Sequence, residues 1–360
     1  MSIHHERDPQ KLVAYYDSLT IKPYDPVFVG EKRPWETLPS IESILTLNKD
    51  VEPFVIQASA QRTEFLGNDY DVLEFVHLSD NHAVLETWNR MVSYVNHYKD
   101  YISFALHTGD YCGGIQEEYH DCYTEGDPCQ RPLLNCIGNH DTVSAASGTT
   151  GPEVPHRLLF SHTENWGVTF MPGEHSMTYY KDFPEANVRL VVLNLYYDLE
   201  AQAAWLREVL ADTREKGLHL FTAMHEPSAA ITHKLDVTFQ TLTDFAPNET
   251  HIFDGIIADF KANGGIHIAN LAGHNHADNF GYTDSGVLNV AVECASDWAG
   301  WSDGKRVRGT RTFDCFNVVS VDANRGILKL VRVGDNADYF LRIRRTLCYD
   351  YLQNKVIFNG

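Results

Sequence analysis

The chain lacks most of what would direct it to a membrane, a nucleic acid or an oxidising compartment. No apolar run approaches the roughly 20 residues that a spanning helix requires, and Met1 to Gln10 is polar, without the apolar core of a secretory signal. Positive charge is scarce: 29 Lys and Arg stand against 49 Asp and Glu, for a net charge of -20. That balance argues against non-specific binding to nucleic acid and to anionic lipid, both of which rely on a basic surface. A small anionic substrate stays compatible with it, provided bound cations make one pocket locally positive. Seven cysteines, an odd number and scattered, predict reduced thiols and a cytoplasmic protein. Cys112, Cys122, Cys129 and Cys136 lie near enough in sequence to be weighed as a structural zinc site. No Cys-X-X-Cys is present among them, however, and Cys136 sits in an apolar run where a free thiol is at home. Repeats and low-complexity tracts are missing as well.

What is present suits one sizeable α/β domain. The 360 residues are 43% hydrophobic, enough for a large core. Residues 1–70 read as an irregular N-terminal extension over the core, punctuated by Pro23, Pro26, Pro34 and Pro39, with a short helix from Asp8 to Leu19 and a strand from Glu52 to Ala58. Residues 71–335 form the domain and 336–360 a C-terminal strand extension. In that extension, Arg342, Arg344 and Arg345 alternate with Leu341 and Ile343 as a solvated strand face.

Within the domain, apolar runs repeatedly stop at polar clusters. Val72 to Leu78 ends at Asp80-Asn81-His82, and Tyr101 to Leu106 ends at Gly109-Asp110. Leu133 to Ile137 ends at Gly138-Asn139-His140-Asp141, Leu218 to Met224 at His225, and Ile266 to Ala272 at Gly273-His274-Asn275-His276. Between the first two strands, Glu86 to Lys99 carries Trp88, Met91, Val92 and Val95 at helical spacing, so it lays one apolar face on a sheet. Strand, helix, strand in that order predicts parallel pairing through a right-handed crossover, with ligands bound beyond the carboxyl ends of the strands. Further helices are expected at Leu199 to Lys216 and Ile252 to Ala262, a hairpin at Met177 to Asp182 with Val188 to Tyr197, a strand at Gly286 to Cys294, and another hairpin at Phe316 to Val321 with Gly326 to Val333. Ser144 to Gly173, with His156, His162 and Trp166, reads as a long loop able to serve as a lid or substrate wall. His77 and His107 are strand residues that support the site or the fold.

Five clusters of carboxylate, amide and imidazole aimed at one sheet edge are costly unless coordinated. Divalent transition ions supply the reason: two Asp, one Asn and four His suffice for two cations that share a carboxylate. Such a pair holds a bridging hydroxide and neutralises phosphoryl oxygens, which suits in-line attack on phosphorus. His140 is then placed as a general acid for the leaving oxygen, with Asp141 orienting it and favouring its protonated form.

Asp-X-His, Gly-Asp, Gly-Asn-His-Asp, a lone His and Gly-His-X-His, in this order across residues 80–276, resemble the calcineurin-like metallophosphoesterase superfamily. The resemblance implies a four-layer αββα sandwich of two mixed β-sheets flanked by helices. It also implies Asp80, His82 and His276 on one metal, Asp110 bridging, Asn139, His225 and His274 on the second, and His140 as the acid. The metals implied are two divalent or mixed-valence ions of manganese, iron or zinc, without thiolate ligands. Gly113 stands where purple acid phosphatases carry Tyr, and Gly113, Gly114 and Ile115 stand where the Ser/Thr protein phosphatases continue Asp-Arg-Gly, so the phosphate-clamping Arg is missing. The pattern is similar to the small-molecule branch, including bacterial cyclic-nucleotide phosphodiesterases. It implies hydrolysis of small phosphoesters, a phosphodiesterase first and a phosphomonoesterase as the alternative. A scaffold or binding protein that has lost turnover is the reading of another class.

Overall fold

The computed structural model describes residues 72–112, 129–142, 163, 166–173, 177–235, 252–296, 315–334 and 346–359. The expectations for Asp8 to Leu19, Glu52 to Ala58, Cys122, His156, His162 and the arginines at 342–345 lie outside these residues.

Among the described residues the strands form two sheets. The first contains β1 (Val72–Leu78), β2 (Phe104–His107), β3 (Leu133–Asn135), β12 (Cys315–Asp322), β13 (Ile327–Gly334), β14 (Thr346–Asp350) and β15 (Lys355–Asn359), in the order β15-β14-β13-β12-β1-β2-β3. The second contains β4 (Thr169–Phe170), β5 (Tyr179–Phe183), β6 (Val188–Val192), β7 (His219–Ala223), β8 (His233–Lys234), β9 (His267–Ala272), β10 (Asn279–Tyr282) and β11 (Leu288–Ala291), in the order β4-β5-β6-β7-β9-β11-β10-β8. Each sheet is mixed, with a parallel set, β1-β2-β3 or β6-β7-β9-β11, flanked by antiparallel neighbours.

Aromatic side chains join the sheets face to face. Phe75 stacks on Phe104 at 4.5 Å and meets Phe221 of the other sheet edge-on at 5.6 Å, while Phe104 stacks on Phe183 at 4.9 Å. Alternation along β12 then turns Phe316 outward, where Tyr94 of helix α1 (Leu85–His97) packs against it at 5.3 Å. On the far side, Leu206, Val209 and Leu210 of a long helix (Leu199–Glu215) and Phe253, Ile257 and Phe260 of another (Ile252–Ala262) share a second core with Val191, Leu193 and Leu220. Helix, sheet, sheet, helix is the four-layer order expected.

Several strands are shorter than the runs suggest: β3 stops at Asn135 and β11 covers only Leu288–Ala291, and for β2 and β6 the cause is visible. The N–H groups of Tyr101 and Ile102 both bond to the Tyr98 carbonyl, so they close helix α1 instead of opening β2. Asn194 ends β6 early because its Oδ1 accepts from the Tyr196 N–H at 3.0 Å, a side-chain turn that competes with the ladder. The last two strands extend the first sheet, and their segment reaches the second: Tyr349 meets the Tyr282 hydroxyl, and the Tyr351 hydroxyl lies 2.6 Å from His219 Nδ1. Among the described residues no helix is long and apolar enough to cross a membrane.

Candidate metal centre

The carboxyl ends of β1, β2, β3, β7 and β9 converge, so every residue proposed as a ligand arrives at one place. Asp80, His82, Asp110 and His276 present ligand atoms within 4.8 Å of one another, and so do Asp110, His225 and His274. Asp110 belongs to both groups. Asn139 opens a four-residue helical turn, α2 (Asn139–Thr142), and its Oδ1 lies 3.0 Å from His225 Nε2 and 3.1 Å from His274 Nδ1. Of the cysteines at 112–136, the three among the described residues, Cys112, Cys129 and Cys136, form no disulfide, and neither ligand group contains a thiol.

Each shared or terminal carboxylate is anchored through one oxygen and faces imidazoles with the other. The His274 N–H donates to Asp80 Oδ2 at 2.9 Å, leaving Oδ1 3.2 Å from His276 Nε2 and 3.9 Å from His82 Nε2. The His140 N–H donates to Asp110 Oδ1 at 2.9 Å, leaving Oδ2 3.2 Å from His225 Nε2. The imidazoles are held from behind. His82 Nδ1 lies 3.2 Å from the Cys112 carbonyl and His225 Nδ1 2.7 Å from the Thr108 carbonyl, so each Nδ1 carries a proton and each Nε2 is directed inward.

The donor set fits a pair of cations. Asp80 Oδ1 is buried and faces only imidazole nitrogens, and the His82 and His276 Nε2 atoms face each other at 3.0 Å beside it. Electrostatics agree. Burial works to raise the Asp80 carboxyl, but His276, His225 and His82 around it hold it well below the usual carboxylate range. Burial lowers His82 and His274. It also opposes charge on His225 and His276, yet the carboxylate of Asp110 lifts His225 to about 10 and that of Asp80, with Cys294, lifts His276 to about 11.

Backbone conformation marks the same place. Among the described non-glycine residues, nine have positive φ, and five of them are proposed ligands: Asp80 (55°), His82 (43°), Asp110 (57°), His274 (65°) and His276 (51°). Such residues cost about 1–3 kcal/mol each and persist only where their surroundings enforce them. The glycines of the motifs exist for close approach. Gly109 has φ 103°, and a Cβ there would lie 2.6 Å from His225 Nδ1; a Cβ on Gly273 would overlap Ser79 Oγ and Asp80 Oδ2. Gly273→Ala is therefore expected to displace the Asp80 carboxylate and weaken manganese binding by about 10-fold or more in calorimetry, with an unchanged circular dichroism spectrum.

Asp141 is fully buried, and its oxygens accept from the N–H groups of Gly138 (2.8 Å), Asp110 (2.8 Å) and Tyr111 (2.9 Å). It clasps the Asp110 loop to the Asn139 turn, so it acts on the backbone around His140. The His140 ring is 33% exposed, edge-on to His82 at 5.1 Å, with Nε2 4.0 Å from Asp110 Oδ2. His77 bonds to Thr108 Oγ1 at 3.1 Å. The carbonyls of Cys112 and Thr108 were beyond sequence reasoning, since any residue supplies a carbonyl; the glycines were the available signal of crowding.

No protein-family profile and no curated protein matches the chain. Solved structures do. A dimetal phosphatase from Danio rerio overlays with a TM-score of 0.53 at 12% identity, covering 78% of this chain and 99% of its own. GAP50, the anchor in the inner membrane complex of Plasmodium, overlays at 0.43 with 11% identity, over 81% of this chain and 88% of its own. A protein from Thermus thermophilus overlays at 0.37 with 12% identity, over 76% and 98%. The two-sheet fold is thus metallophosphoesterase-like, shared with the dimetal phosphatase.

Proposed function

We propose that this chain is a dinuclear metal-dependent phosphoester hydrolase of the calcineurin-like superfamily, acting on small phosphodiesters in the cytoplasm. The observation that carries the reading is the pair of ligand groups meeting at Asp110. Asp80, His82, Asp110 and His276 would hold one ion, and Asp110, Asn139, His225 and His274 the other, with manganese, iron or zinc compatible with nitrogen and oxygen donors. Bound there, two cations supply Lewis-acid neutralisation of the phosphoryl oxygens and a water acidic enough to attack phosphorus at neutral pH. His140, on the rim and reachable from solvent, donates the proton that the departing alkoxide needs, and Asp141 holds the turn that carries it. The choice of diesters follows the resemblance to the small-molecule branch, since Gly113, Gly114 and Ile115 stand in the sequence where the Ser/Thr protein phosphatases continue Asp-Arg-Gly.

Manganese-loaded protein assayed on bis-nitrophenyl phosphate, nitrophenyl phosphate and cyclic nucleotides tests the reading. Turnover of the diesters above the monoester is expected; two bound metals without turnover of any would favour the scaffold.

Metal uptake should also release protons. His225 and His276 keep theirs until about 10 and about 11 without metal, whereas a ligating imidazole must be neutral. Occupying both positions at pH 7 therefore expels about two protons, and affinity rises with pH across the neutral range. Calorimetry in buffers of different ionisation enthalpy reads this number; a value of zero would contradict the ligand assignment of both histidines.

A further inference from the structure

His107, the last residue of β2, touches neither group of ligands, yet it is fully buried and spans the two loops that bear most of the first one. The Gly109 N–H points at His107 Nδ1, 3.1 Å away, and His107 Nε2 lies 2.8 Å from Asn81 Oδ1. A backbone N–H can only donate, so Nδ1 accepts and Nε2 carries the ring proton to the Asn81 oxygen. Burial pushes His107 well below the ordinary histidine range, in keeping with this neutral tautomer. The ring is clamped in place: it stacks on Tyr111 at 3.6 Å, with Trp88 at 6.1 Å, and the Tyr111 hydroxyl bonds to Asn135.

Asn81 stands between Asp80 and His82, and Gly109 precedes Asp110. These two loops also run side by side in backbone hydrogen bonds, Asp80 N–H to Gly109 O at 2.9 Å and His82 N–H to Asp110 O at 3.2 Å. Residues 80, 82, 83 and 110 all have positive φ, so neither loop holds its shape by backbone preference. A rigid, doubly bonded spacer between them is the kind of restraint such a geometry needs.

We propose that His107 is a positioning residue that sets the separation of the Asp80–His82 loop from Asp110, and so governs occupancy of the first metal position without ligating it. The inference rests on the dinuclear reading above. Asn139, His225 and His274 lie on other loops and are tied to this pair only through the Thr108 carbonyl, the Asp80 carboxylate and the shared Asp110, so the second position should weaken much less than the first.

The experiment is manganese titration of full-length protein by calorimetry and electron paramagnetic resonance. Wild-type protein should bind two ions and show a spin-coupled pair; if it does not, the dinuclear reading fails before His107 is at issue. His107→Phe keeps a ring against Tyr111 and loses both hydrogen bonds. It is expected to bind one ion within about threefold of wild type and the other about 10- to 100-fold more weakly, with the coupled signal lost at substoichiometric metal. His107→Asn, which keeps an acceptor near Nδ1, and His107→Gln, which keeps a donor near Nε2, should fall in between. A folding role alone would lower the melting temperature and leave both affinities in place. Folded His107→Phe protein with two wild-type affinities would therefore overturn the proposal. Should that variant not fold, Asn81→Ala cuts the same bridge from the other end and reads the same way: selective weakening of one ion supports it, two unchanged affinities reject it.

Discussion

Asp110→Asn is expected to abolish metal-dependent turnover, lowering kcat by about 10³-fold or more. The physical reason is local. Asp110 Oδ1 is engaged by the His140 N–H, which forces the substituted amide to keep its oxygen there and turn its NH2 towards His225, where Oδ2 now lies 3.2 Å from Nε2. A donor then faces the position from which a cation must be held by two neighbouring groups, and the charge that both share is gone. The substitution is nearly isosteric, and the Asp141 clasp on the Asp110 backbone is untouched, so the fold should persist. Metal analysis is expected to show fewer than two ions per chain. Full turnover with two bound ions would remove Asp110 from the bridging role.

His140→Ala should separate substrates by their leaving groups. The alanine retains the main-chain N–H that supports Asp110 and loses only the partly exposed ring, so the ligand framework is preserved. With alkyl leaving groups, whose departing oxygen needs a proton, kcat should fall about 10²- to 10⁴-fold, equivalent to about 3–5 kcal/mol of transition-state stabilisation. With nitrophenyl esters, whose anion leaves unaided, the loss should be under about tenfold. Equal losses on both classes would show that the ring binds substrate or holds structure instead of delivering a proton.

How far the site could be read in the chain depended on the kind of interaction involved. Residues such as Val72 to Leu78 and His267 to Ala272 are buried almost throughout, so their apolar runs announce parallel strands, and the polar residues just beyond them must occupy the carboxyl edge. The ligand types were legible for that reason. The glycines at 109 and 273 stand in the same motifs, but the reason for them shows only in the structure, where another chain segment comes too close for a side chain. What escaped was anything made by the backbone or by distant pairing. Nothing local in Cys112 or Thr108 signals that its carbonyl steers His82 or His225. Asp141 sits beside His140 in sequence, which suggests a side-chain partnership; its burial instead commits it to the amides of Gly138, Asp110 and Tyr111, two of them about thirty residues away. The insertion of β12 beside β1 was invisible for a related reason, since an antiparallel register such as Phe75 with Val319 is decided by packing between sheets and not by either strand alone.

Side chains from five strand ends would enclose two cations joined through one carboxylate. Crystals grown with manganese and measured for anomalous scattering address it directly. Two peaks about 3.5–4 Å apart are predicted, one among Asp80, His82 and His276, the other among Asn139, His225 and His274, with Asp110 between them. No peak at this position, or a lone peak that Asp110 does not touch, would contradict it.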